Sequence, residues 1–124
     1  MVPVYERLAS LATTSDAVVP CAENTLGVEL LAACWNARSF HSRDLTTRRG
    51  QVSAEALEAI RETELVGIVP HAPVRFGAWR GTPVTADDDP RIDFELGQLR
   101  HWNAIEERAL RSGIAVAHDS GRPA

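Results

Sequence analysis

Residues 90–112 constrain this chain more than any other stretch, because four independent signals agree there on one long helix. Asp89 is a good N-cap, and Pro90 suits a first helical position, where a missing N–H costs nothing. Asp93 and Glu95 sit near the positive end of the helix dipole, Arg108 and Arg111 near its negative end, and Gly113 is a stop signal. Ile92, Leu96 and Leu99 are followed by Trp102 or Asn103, Ile105 or Glu106, and Ala109 or Leu110, all at three- and four-residue spacing. Gly97 weakens the helix by roughly 1 kcal/mol relative to Ala. A helix from Pro90 to Ser112 is ~30 Å long, about the diameter of a small domain. That exceeds what one small core needs to cover. Leu96, Leu99, Trp102 and Leu110 are therefore expected at an interface between two copies of the chain.

The rest of the chain divides into shorter pieces. Pro3 to Ala12 reads as a short helix with Val4, Leu8 and Leu11 on one face. Ala17 to Cys21 is extended and kept short by Pro20. Thr25 to Ala37 reads as a core helix through Leu26, Leu30, Leu31, Cys34 and Trp35. A capped start at Ser42-Arg43-Asp44-Leu45 is broken by Gly50, and a further helix begins at the N-cap Ser53 and ends near Thr63. Leu65–Val69 and Val74–Trp79 read as two strands of a hairpin, joined by Pro70-His71-Ala72-Pro73, with Phe76 packed inward. Ile114–Ala117 is read as a short strand and His118–Ala124 as a tail, so residues 1–113 are expected to form one domain and 114–124 a short strand or tail. The expected class is α+β and mainly α: three short helices, a two-stranded hairpin, and the long C-terminal helix.

A length of 124 residues can bury a core without staples, and 44% hydrophobic with 24% charged residues is a globular balance. The formal net charge of -4 argues against blanket attraction to nucleic acid. All the basic residues are Arg, which suits bidentate contacts with carboxylate or phosphate. Cys21 and Cys34 make no metal motif and are expected as reduced, buried thiols. The opening residues lack a basic segment followed by an apolar one, and no apolar run approaches the ~20 residues that span a bilayer. The expectation is a cytoplasmic protein with no membrane partner.

Helix, helix, helix, hairpin, long helix is the element order of a winged helix-turn-helix domain. The stretch from Ser42 to Ile60 resembles a helix-turn-helix, with Gly50 at the turn and Val52-Ser53 opening the second helix. Its spacing around Gln51-Val52 is one residue longer than the commonest form. The resemblance implies DNA binding, with Arg38, Arg43, Arg48 and Arg49 beside the helix start and Arg75 and Arg80 on the wing placed to hold phosphates. The helix that would enter the groove is acidic, however, with Glu55, Glu58, Glu62 and Glu64 against Arg61. Base readout favours Arg, Lys, Asn or Gln there. The same Arg residues, with Trp79 as an apolar anchor, suit a protein partner better.

Catalytic signals are weak. His118-Asp119-Ser120 has the residue types of a triad, but such groups converge from separated positions. Cys34 with His41 lacks a third group, and Cys34 falls on a core face. Asp87-Asp88-Asp89 lacks the spacing of a calcium loop. His71 and His101 have no partner visible in sequence. No catalytic residue, metal or cofactor is expected. The preferred reading is a small, non-enzymatic regulatory or adaptor protein, homodimeric and acting through protein–protein contacts. A winged-helix DNA-binding regulator is the second reading, and an enzyme or enzyme subunit whose site is completed by a partner chain is the third.

Overall fold

Leu30, Leu31 and Ala32 are three consecutive apolar residues, and all three are buried. A run without alternation is what a strand covered on both faces requires. The computed structural model describes residues 1–40, 45, 47–69 and 71–111, together with the backbone of 112–119. In it the run forms the middle strand, β3 (Leu30–Ala32), flanked by β1 (Val4–Glu6) and β2 (Ala17–Val19) in the order β1-β3-β2, with both pairings antiparallel. Tyr5 and Val18 lie opposite Leu31, while Val19 and Glu6 lie opposite Leu30.

Side chains alternate across a strand, so this register sorts the core into two layers. Leu30, Ala32, Ala17 and Val19 share one face with Cys34 and meet Ala56 and Ile60 of α1 (Ala54–Val66). Leu31 points to the opposite face, among Ala12, Ala33, Tyr5, Leu8, Leu11, Val18 and Trp35. There the Tyr5 ring meets Phe94 edge-on at 5.7 Å between centroids. Phe94 belongs to α2 (Pro90–Asp119), so the small sheet lies between the two helices. The architecture is mixed α+β. Among the described residues no helix is long and apolar enough to cross a membrane.

Both helices start where the sequence places them. The Ser53 hydroxyl accepts the Ala56 N–H at 3.0 Å, and Ala56, Ala59, Ile60 and Thr63 form the buried stripe of α1. Asp89 Oδ1 accepts the Arg91 N–H at 2.9 Å and opens α2 at Pro90. The helix runs on through Gly113 to Asp119, in place of the strand expected over Ile114–Ala117.

Three further expected elements differ. The helix over Pro3–Ala12 is instead β1 and a single 3-10 turn, Ala9–Leu11; Arg7 separates them with φ 61°, a left-handed conformation no helix contains. The helix over Thr25–Ala37 gives way to a pinned loop, β3 and a 3-10 turn at Cys34–Asn36. Asn24 does the pinning: its Nδ2 donates to Pro20 O and Val28 O, and its Oδ1 accepts from Leu26 N and Gly27 N. Gly27 takes φ 72° within that loop.

The hairpin over 65–79 does not form among the described residues. Leu65 and Val66 complete α1, and Gly77–Trp79 is a 3-10 turn. The Glu62 carboxylate accepts the N–H groups of Arg75 and Phe76, donors that a second strand would have needed. Phe76 does pack inward, 6% exposed. Among the described residues the short helices expected over Pro3–Ala12 and Thr25–Ala37 and the hairpin are absent, so the winged-helix element order is not matched. The helix start expected at Ser42-Arg43-Asp44-Leu45 lies largely outside the described residues.

Candidate functional site

One face of α2 holds the body of the protein. Trp102 Nε1 donates to Tyr5 Oη at 2.6 Å, and the Trp102 ring meets Phe40 edge-on. Burial raises the Tyr5 hydroxyl above its ordinary range, an effect that the Trp102 bond opposes. Glu106 is paired with Arg38 at 2.7 Å. Near the start of α2, Arg91 chelates Asp89 and donates to Ala12 O, Thr82 O and Pro83 O. Asp89 is thereby held below the usual carboxylate range and Arg91 raised, each through the hydrogen bond to the other.

The adjoining face is different. Leu96, Leu99, Asn103 and Leu110 follow three-, four- and seven-residue steps, the spacing of a coiled-coil seam, while Glu106, also in that register, turns to Arg38. Leu96 is 45% exposed, Leu99 37% and Leu110 60%. These are three of the four residues expected at a dimer interface, and the structure puts them on one stripe open to solvent. Trp102, the fourth, belongs to the inner face, where it fastens α2 to β1. A tryptophan's size says that it will be covered, not by which surface.

The basic candidates are dispersed. Arg38 is 8% exposed at its side chain, enclosed by Glu106 and by Asn36, whose Oδ1 accepts from both Arg38 Nε and Nη2. Arg80 lies 3.6 Å from Glu62, and Arg75 lies 3.6 Å from Glu58 with its guanidinium over the Phe76 ring. Burial pushes the Glu62 carboxyl up, but the Arg75 and Phe76 N–H donors and the Arg80 charge outweigh it and hold the group below its usual range. Arg48 donates to Gln51, Arg49 is exposed, and Arg43 lies outside the described residues. Trp79 is half-buried against the α1 layer of the core and meets Phe76 edge-on, so it is no free anchor. Arg38 is thus tied to α2, whereas Arg75 and Arg80 are tied to acidic α1.

A cleft of about 560 Å³ opens beside the end of α1, lined by Cys34, Trp35, Thr63, Glu64, Ile68 and Arg80 among others. Two Arg80 nitrogens, Nε and Nη2, have no hydrogen-bond partner, but both are sealed from solvent and so from anything in the cleft. The Cys34 thiol donates to Ala32 O, and burial pushes its pKa up to about 12, which leaves no nucleophilic thiolate near neutrality. Cys21 is exposed rather than buried, and neither cysteine is in a disulfide. His71 and His101 are exposed, and His41 and Ser120 lie outside the described residues.

Sequence reasoning missed a polar cluster under α2. Thr13, Asp16 and Glu95 lie together, with Arg91 close by. The signal was present: Glu95 lies one turn after Arg91 and about two turns before Trp102, on the helix face that meets the body. No family model matches the chain, and comparisons with curated proteins and with solved structures find no match.

Proposed function

We propose that this chain is a non-enzymatic interaction module, a small regulatory or adaptor protein, that pairs with a second copy of itself through the outer stripe of α2. The observation that carries this reading is the exposure of Leu96, Leu99 and Leu110 in seam register on a helix already anchored along its other side. A second copy is the favoured occupant because the spacing is self-complementary. In such seams a lone Asn, here Asn103, pairs with its counterpart and sets register.

The expected affinity is modest. Fully burying a leucine is worth ~1.5–3 kcal/mol, so three partly exposed leucines on each of two copies contribute on the order of 6 kcal/mol before association costs. Even before those costs, about 6 kcal/mol corresponds to a Kd of tens of micromolar, so the dimer is weak and reversible, in the high-micromolar to millimolar range. Leu99→Asp places a charge at the middle of the stripe without touching the inner face. It should reduce the sedimentation coefficient at high protein concentration to that of a single chain. A coefficient that Leu99→Asp leaves unchanged from wild type would sink the reading.

DNA binding gains no comparable support, since Arg38 and Arg80 already have carboxylate partners and no wing forms among the described residues.

A further inference from the structure

The Thr13 hydroxyl sits between two carboxyl groups. Its Oγ1 is 3.2 Å from Asp16 Oδ2 and 3.3 Å from Glu95 Oε1, and the same oxygen accepts the Ser15 N–H at 3.2 Å. A hydroxyl has one proton to give. Once that proton goes to one carboxylate, the other carboxyl can bond to Thr13 only by bringing a proton of its own. If both acids were ionised, one contact would set two acceptors against each other. Asp16 is 2% exposed, and its Oδ1 is buried with no hydrogen bond of good geometry, the Trp35 side chain being the donor that faces the group. Arg91 eases both acids by its charge alone, since its hydrogen bonds go to Asp89 and to the carbonyls of Ala12, Thr82 and Pro83.

We propose that Asp16, Thr13 and Glu95 form a clasp that closes on one shared proton and holds the N-terminal part of α2 against the body, loosening as pH rises. The groups facing it are Asp89 and Arg91 from the start of α2, Tyr5 from β1, and Trp35 from the segment after β3. Burial raises both acids above the ordinary carboxylate range. For Glu95 the Asp16 charge adds to this; for Asp16 the Thr13 N–H and hydroxyl oppose it. The folded chain therefore holds a proton that the unfolded chain has released. The clasp's contribution is complete below the unfolded carboxyl pKa and is lost as pH rises through the raised folded values. Glu62 and Asp89, whose pKa values are lowered, act in the opposite direction, so the signature is a difference between proteins rather than the shape of one curve.

Glu95→Gln keeps a donor for Thr13 Oγ1 at every pH. Its melting temperature should exceed that of wild type by about 3–6 °C at neutral pH, with the gap closing toward the acid side of the carboxylate range. Running both proteins at low-micromolar concentration keeps the comparison clear of self-association. A gap that is constant with pH, or a variant less stable than wild type at neutral pH, would overturn the clasp. In wild type, carboxyl-carbon NMR should show Asp16 or Glu95 titrating above the ordinary range. Both titrating within that range would overturn it equally.

Discussion

Gly81→Ala should destabilise this protein by roughly 3 kcal/mol or more, a large part of the ~5–15 kcal/mol that holds a domain together. A Cβ built at position 81 falls 2.2 Å from both the carbonyl carbon and the oxygen of Ala12, and 2.6 Å from Thr13 N. All three are backbone atoms, so no side chain can rotate away. The close approach has a purpose: Gly81 N–H donates to Thr13 O, and Arg80 bridges to Ala17 at the edge of β2. Relief of the clash would part the 80–82 segment from the sheet edge and pull Arg91 from the Ala12 and Thr82 carbonyls. Gly97→Ala is the matched control. Nothing lies within 4 Å of its added methyl, and α2 should gain up to about 1 kcal/mol from the better helix former. Urea denaturation of the two variants should therefore move in opposite directions.

Leu31→Ala should cost about 3 kcal/mol, from lost apolar transfer and from the cavity left behind. Leu31 is fully buried in the central strand and packs with Ala12 and Ala33 among the side chains that face α2. Its neighbours are held from both flanks by the pairing of β3 with β1 and β2, so they have little freedom to collapse inward. The denaturation midpoint should fall with the slope unchanged. A loss below about 1 kcal/mol would mean that this layer is loosely packed.

The two helix starts were legible in sequence because the deciding contacts are local. Ser53 caps three residues ahead and Asp89 two residues ahead. The strand Ala17–Val19 was also legible, from β-branched residues ending at a proline. Leu30-Leu31-Ala32 was not. A strand buried on both faces shows no alternation, and Leu26, Leu30, Leu31 and Cys34 match helical spacing as well as any other. What decides against the helix is Asn24, whose amide closes the preceding loop, together with partners at Val4–Glu6 far away in sequence.

The missing hairpin has a similar cause. Its second strand lost its donors to Glu62, a residue that the sequence shows only as part of an acidic helix face. In the candidate site, Leu96, Leu99 and Leu110 could be read from spacing alone. The assignment of Trp102 to the inner face depends on Tyr5, ninety-seven positions earlier. The Asp16–Thr13–Glu95 set escaped for the same reason, being assembled from a turn and a helix eighty-two positions apart.

Self-association through the outer stripe of α2 is tested most directly by the solution mass of the unaltered chain as its concentration is raised, measured by sedimentation equilibrium. The weighted mass should climb above the 13.5 kDa of one chain, toward twice that value, between about 50 µM and a few mM, as a dimer of high-micromolar to millimolar affinity requires. A mass that stays at that of one chain across the whole range would contradict it.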